Sequence, residues 1–216
     1  MSKFRVRYQT FEIDNFDIHV RSLRDNQQFS DDANIAADLG ISSAQWPLFG
    51  VVWASGEVLA RLMARQDIVG KRILEVGCGI GLASLVLNER AANITATDYH
   101  PEVEAFLEIN ASLNGRQAIP FEQSDWNNLT SELGTFDLII GSDLLYEAEH
   151  ISLLSQFIQL HAKPRCDVIM VDPGRGNHAK FSKAMVKLGF IHSQRKLDEE
   201  EQRYTDFKGR VLNYSR

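Results

Sequence analysis

Ile73-Leu74-Glu75-Val76-Gly77-Cys78-Gly79-Ile80-Gly81 is an apolar, strand-like run that holds one acid and ends in glycines at alternate positions. The helix-like stretch Leu82 to Arg90 follows it directly. Glycine reaches φ > 0 at little cost and has no Cβ, so a chain leaving a buried strand can turn sharply there while a ligand lies against its backbone. Gly77, Gly79 and Gly81 meet that need, and the run reads as the nucleoside-cofactor turn of an α/β fold. A tight turn with no ligand is the plainer reading of the same residues.

Spacing separates the candidate nucleosides. A dinucleotide fingerprint, G-x-G-x-x-G, sets its third glycine where pyrophosphate meets the helix N-terminus. Here that position is Leu82, and the glycine falls one residue earlier. Glu75, two residues before Gly77, is placed to reach a ligand that carries an ammonium group. A second strand, Asn93 to Thr97, leads into Asp98, 21 residues after Gly77 and about where an acid bonds ribose hydroxyls. These departures favour S-adenosylmethionine over a nicotinamide dinucleotide.

Outward from this turn, apolar strand-like runs alternate with helix-like stretches, the pattern of a mostly parallel sheet flanked by helices. Strands are predicted at Arg72 to Val76, Asn93 to Thr97, Ile119 to Gln123, Phe136 to Gly141 and Asp167 to Val171. Phe190 to Lys196 and Arg210 to Tyr214 form an antiparallel terminal hairpin at the sheet edge, completing a Rossmann-like seven-stranded sheet. Helices are expected over Val52 to Met63, after Asp98 with Pro101 in its first turn, from Ile151 to a stop at Pro164, and after a cap at Asn177. Phe4 to Ile13 and Phe16 to Leu23 alternate polar and apolar residues around Asp14-Asn15, which predicts an N-terminal β-hairpin. Residues 31 to 45 have little periodicity and read as a loop or a short helix. The chain thus divides into an N-terminal extension, 1–45, and a main domain, 46–216.

Composition narrows the class. The 216 residues are 44% hydrophobic and 24% charged, as in ordinary globular proteins. The N-terminus, with Arg5, Arg7, Glu12 and Asp14, lacks the apolar segment of a signal peptide, and no apolar run is read as approaching the ~18 residues of a membrane span. A cytoplasmic protein with no membrane partner is expected. Two cysteines cannot build a disulfide framework, and the six histidines show no metal-ligand spacing with them, so no metal is expected. A net charge of −6 weakens a nucleic-acid partner. The stripe Lys180, Lys183 and Lys187 reads as a solvated helix face, and the acidic run Asp198 to Glu201 as a solvated turn that can also attract a basic substrate. The oligomeric state stays open.

In open α/β sheets ligands bind beyond the carboxyl ends of the strands, where strand order reverses. That rule gathers Gly77 to Gly81, Asp98, Asp125-Trp126, Ser142-Asp143 and Asp172-Pro-Gly-Arg175 on one rim. Trp126 can flank an adenine ring while Asp125 or a backbone amide reads its edge; a core tryptophan on a loop is the alternative. In Ser142-Asp-Leu-Leu-Tyr146, Asp143 and Tyr146 can hold an incoming amine over the methyl group, or else are a capping aspartate and a packed tyrosine. Arg175 can grip a substrate carboxylate or phosphate, or tie down its own loop.

Gly50-Val-Val-Trp53, Leu74 to Gly81, Thr97-Asp98, Asp125-Trp126 and Ser142 to Tyr146 together resemble the seven-β-strand S-adenosylmethionine-dependent methyltransferases. The likeness, over roughly residues 45 to 190, is greatest to the protein-lysine methyltransferase family sixteen and to its bacterial relatives described as predicted nicotinamide N-methylases. It implies that Trp53, Gly77, Cys78, Gly79, Asp98, Trp126 and Ser142 contact the cofactor, and that Asp143 and Tyr146, in the family's Asp-x-x-Tyr motif, border the substrate channel. The short hairpin and Asp172-Pro-Gly-Arg175 are more like the bacterial relatives. The expected function is methylation of a protein side-chain amine. A small-molecule N-methyltransferase with a nicotinamide-like acceptor and a noncatalytic nucleoside-binding module are the alternatives. A nucleic-acid methylase fits less well, since its strand-four motif resembles Asn-Pro-Pro-Tyr.

Overall fold

The computed structural model describes residues 5–127, 131–202 and 204–216. Its centre is a seven-stranded sheet. The hairpin β1 (Val6–Ile13) and β2 (Phe16–Leu23) forms a separate two-stranded sheet, turning at Asp14-Asn15 with Asp14 at φ +53. The expected start of that hairpin at Phe4 lies outside the described residues. A short helix, α1 (Ile35–Asp38), and a tight helical turn at Trp46–Gly50 lead into α2 (Ala54–Arg65). There follow β3 (Arg72–Val76), α3 (Leu82–Glu89), β4 (Asn93–Asp98), α4 (Val103–Leu113) and β5 (Phe121–Gln123). The second half runs β6 (Phe136–Ser142), α5 (His150–His161), β7 (Ala162–Asp172), α6 (His178–Lys187), β8 (Ile191–Arg195), α7 (Glu199–Gln202) and β9 (Arg210–Ser215).

The strands lie in the order β5-β4-β3-β6-β7-β9-β8, parallel except where β9 pairs with its neighbours. After β5 the chain crosses to the far side of β3, so strand order reverses between β3 and β6 and opens a crevice above their carboxyl ends. Central β6 carries Leu138, Ile139 and Ile140 fully buried, which accounts for its unbroken apolar sequence. One apolar cluster holds Leu59, Met63, Val86 and Phe106; another, on the opposite side of the alternating strand residues, holds Leu74, Ile139, Phe157 and Phe181.

Several local expectations are corrected. Pro164 does not stop α5: the helix ends at His161 and Pro164 lies inside β7, where the pairing with β6 shifts register and a missing N–H is tolerated. Pro101 precedes α4 rather than opening it; the turn is made by the Asp98 carboxylate accepting the His100 N–H at 2.9 Å. Asn177 stands at the start of α6 but sends its side-chain amide to the Leu145 carbonyl, 2.9 Å away, instead of capping. Residues 46–65 do have the length and composition of a membrane-spanning helix, contrary to the sequence reading. They are broken between Gly50 and Ala54, and Val58, Leu59, Ala60 and Met63 are buried against the sheet.

The hairpin is sewn to the main sheet's helices. Ile13, Ile18, Val20 and Leu23 join the same apolar cluster as α3 and α4. On α4, buried Asn110 acts like one more strand residue: its Oδ1 accepts the Arg21 N–H at 2.7 Å and its Nδ2 donates to the Arg21 carbonyl. Asn114, one turn later, does the same for His19.

Candidate active site

At the end of β3 the chain turns through Gly77 (φ +60), Gly79 (φ +54) and Gly81 (φ +71). The Cys78 N–H donates to the Thr97 carbonyl and the Gly79 N–H to the Asp98 Oδ2 at 2.8 Å, so the loop is tied to the end of β4. A Cβ on Gly79 would stand 3.0 Å from the Phe49 carbonyl oxygen, and one on Gly77 2.5 Å from Leu144 Cδ2. The glycines are thus demanded by close packing with the protein itself as well as by the turn.

Glu75 is 4% exposed and its Oε2 accepts both the N–H and the hydroxyl of Ser84, tying β3 to the first turn of α3. Burial pushes its carboxyl up to about 7, against the two Ser84 bonds, and Asp98 adds to the rise. Asp98 is half-buried, accepts the backbone N–H groups of Gly79 and His100, and is also pushed up by burial. The groups that favour the charged form of either acid are hydrogen-bond donors rather than basic side chains. A buried and a half-buried carboxyl, with no basic partner among the described residues, suit a ligand that brings positive charge and hydroxyl donors, as an adenosyl sulfonium with its ammonium group does. Cys78 is held well above the usual thiol range by burial, next by Asp98 and Glu75, so it is packing material and no nucleophile.

The other half of the rim rises from β6. Ser142 ends the strand, and its Oγ would stand 3.6 Å from a Cβ on Gly56, so the start of α2 lies across it. Asp143 follows in the left-handed region at φ +55, its N–H bonded to the Val171 carbonyl. Its carboxylate does not cap a helix: Arg175 grips it two-pronged, Nε to Oδ1 at 2.7 Å and Nη2 to Oδ2 at 2.8 Å. Of the alternatives open for Arg175, a grip on a substrate anion or a tie for its own loop, the structure shows the second, with the tie made to Asp143 at the end of β6. Tyr146 is 46% exposed, packs edge-on against His150, and has its phenol pushed up by burial, then by Glu147, Asp98 and Asp143, with Arg175 opposing. The two halves meet directly: β3 pairs with β6, and Leu144 Cδ2 lies 2.5 Å from where a Cβ on Gly77 would stand.

Trp126 lies edge-on to the same His150, 5.3 Å between ring centres, and is partly buried against the core. Asp125 is exposed and accepts the Asn127 N–H, on the Tyr99 side of the rim. Trp53 stands at the start of α2, 37% exposed, with Nε1 donating to the Leu48 carbonyl at 3.0 Å. Sequence reasoning missed His100, buried and stacked 4.0 Å from Phe49, its imidazole held neutral near 4 by burial. Its position two residues after Asp98 was the available signal. The acidic run is absorbed structurally: Glu201 pairs with Arg195 and Glu200 with Arg65.

Residues 34–187 match the lysine methyltransferase family. The chain belongs to that family. Among curated members, this lysine methyltransferase family chain is 37% identical over 128 residues to protein N-lysine methyltransferase METTL21A of Danio rerio, covering 54% of the chain and 58% of that protein. It is 31% identical over 150 residues to the calmodulin-lysine N-methyltransferase of Arabidopsis thaliana, covering 63% and 49%. The chain spans about half the length of the curated relatives it matches. The solved magnesium protoporphyrin IX methyltransferase (ChlM) of Synechocystis PCC 6803 shares the fold with a TM-score of 0.61 at 21% identity, covering 87% of this chain and 98% of that one.

Proposed function

We propose that the chain transfers a methyl group from S-adenosylmethionine to the side-chain amine of a lysine in a protein. The observation that carries this reading is the meeting of the glycine turn with the end of β6, where Leu144 Cδ2 lies 2.5 Å from the place of a Cβ on Gly77, at a mouth where Tyr146 and Trp53 are both exposed. An open mouth suits an acceptor that projects from a larger surface. The family, and the lysine named in its curated members, support the same acceptor.

The bound sulfonium supplies an activated methyl group. The chain's own task is to align an amine and exclude water. Asp98 accepts the ribose hydroxyls, Trp126 flanks the adenine with Asp125 near its edge, and Ser142 closes the floor of the crevice. Glu75, with Gly77, Cys78 and Gly79 beside it, faces the cationic end of the cofactor. Asp143 and the Tyr146 oxygen accept the N–H groups of the acceptor amine, leaving its lone pair directed into the crevice. An ammonium has no lone pair, so the acceptor must lose a proton before it attacks.

The test is incubation of the purified chain with S-adenosylmethionine radiolabelled on the methyl group and an extract of its own cells. Label in a protein band that yields methyl-lysine on acid hydrolysis is expected. Label confined to RNA or to small molecules, or no transfer at all, overturns the proposal.

A further inference from the structure

The Asp172-Pro-Gly-Arg175 turn closes the rim beside Asp143 through bonds of its own. Asp172, at the end of β7, is 2% exposed, and its Oδ2 accepts the Gly174 N–H at 2.9 Å, which closes the turn locally. Gly174 (φ +95) and Gly176 (φ +93) bracket Arg175 in a conformation that side-chain-bearing residues rarely adopt. The turn therefore delivers the guanidinium to one place, the Asp143 carboxylate, at 2.7 and 2.8 Å. A planar fork bonded to both oxygens fixes the carboxylate's orientation as well as its charge.

We infer that Arg175 is a positioning residue of the acceptor site, one that holds Asp143 by both oxygens and offsets that carboxylate's charge, so that the arriving amine meets an oriented acceptor rather than a bare anion at Asp143. This rests on the methyltransferase reading of the same crevice. The chemistry favours it. A bare carboxylate beside the acceptor would stabilise the ammonium, the form that cannot attack. A carboxylate has about four lone-pair directions, and the two guanidinium bonds leave the others for amine N–H groups. The remaining charged groups on the Tyr146 phenol at this point are Glu147 and Asp98, and Asp172 lies behind the turn with His178 at 3.8 Å.

The probe is sinefungin, an analogue in which a carbon bearing a primary amine replaces the methylated sulfur, compared with S-adenosylhomocysteine, which has no group there. Calorimetric affinities for both are measured on the wild type, Arg175→Met, Arg175→Lys and Asp143→Asn, each checked for folding by thermal melting. Unmasking the carboxylate in Arg175→Met raises the preference for sinefungin over S-adenosylhomocysteine by about tenfold, the factor that 1.4 kcal/mol represents. Arg175→Lys keeps the charge and stays close to the wild-type ratio. Asp143→Asn leaves the guanidinium uncompensated and lowers the ratio. If Arg175→Met does not fold, a ratio in Asp143→Asn equal to the wild type's is enough to overturn the inference. Equal changes for both ligands in Arg175→Met also overturn it, because a turn that is merely structural affects them alike. Failure of the wild type to bind either ligand removes the methyltransferase reading and the inference together, and is recognised by the absent binding rather than by the ratio.

Discussion

Glu75→Gln separates the charge of the buried acid from its hydrogen bonds. The amide carbonyl can still accept from Ser84, whose N–H lies 2.9 Å from the wild-type Oε2, while the ionisable proton is gone. In the wild type, burial lifts this carboxyl from 4.5 to about 7. The folded protein therefore holds the proton more tightly than the unfolded chain between those values, and stability falls as pH rises across that window. At 1.36 kcal/mol for each tenfold step the loss is about 3 kcal/mol, complete above pH 7. Asp98 pushes in the same direction, and removing the Glu75 charge eases it too. Urea unfolding of both proteins without cofactor, at intervals from pH 4 to pH 8, gives the difference in stability directly. Contributions shared by the two proteins cancel. The variant should gain on the wild type by about 3 kcal/mol between pH 4.5 and 7. A difference that stays flat, or that shrinks as pH rises, refutes the reasoning.

Four further outcomes follow from named contacts. Asp98→Ala removes the acceptor for ribose hydroxyls and a tie to Gly79, so affinity for S-adenosylhomocysteine by calorimetry should fall by about tenfold to a hundredfold, or one to two charge-assisted bonds. Asp143→Ala should abolish methyl transfer to the protein acceptor while cofactor affinity stays near wild type; retained turnover sinks the assignment. Gly79→Ala forces a Cβ into the left-handed region and to 3.0 Å from the Phe49 carbonyl, and should lower stability in denaturant melts by about 1–2 kcal/mol or more. Asn110→Leu leaves the buried Arg21 N–H and carbonyl without their side-chain partner, for about 2–3 kcal/mol in the same melts, with the hairpin amides exchanging faster by hydrogen–deuterium exchange.

The division between what the sequence disclosed and what it concealed follows from where the information is stored. Strand positions were legible because burial is written along the chain: Arg72–Val76 is found as expected, and Phe136–Gly141 is extended by one residue. The rim was legible because topology alone brings the carboxyl ends of parallel strands together. Pro164 misled because a proline in a bulge has the same local signature as a helix stop. Pairings between distant residues have no local signature at all. Arg175 and Asp143 are 32 residues apart, and Asn110 and Arg21 are 89 apart. A residue's type announces that it will seek a partner, while the fold decides which one it reaches.

That distinction changes the chemistry of this crevice. Read from sequence, Asp143 is either a holder of the incoming amine or a capping aspartate, and a carboxylate without a basic partner is a good binder of lysine but a poor helper of its reaction, since it favours the protonated amine. Paired with Arg175, it offers direction without net charge, whereas Glu75 and Asp98, on the cofactor side, lack a basic partner and keep their demand for a cation. The crevice is consequently polarised: its floor suits a positively charged donor and its mouth a neutral acceptor. In the proposed reaction a methyl group passing from the sulfonium to the amine would carry positive charge outward, toward the mouth. The product left behind is an uncharged thioether, whose sulfur no longer adds to the attraction of Glu75 and Asp98. That product would keep the ammonium and ribose hydroxyls that face Glu75 and Asp98, so only the share of the attraction owed to the sulfonium charge would be lost.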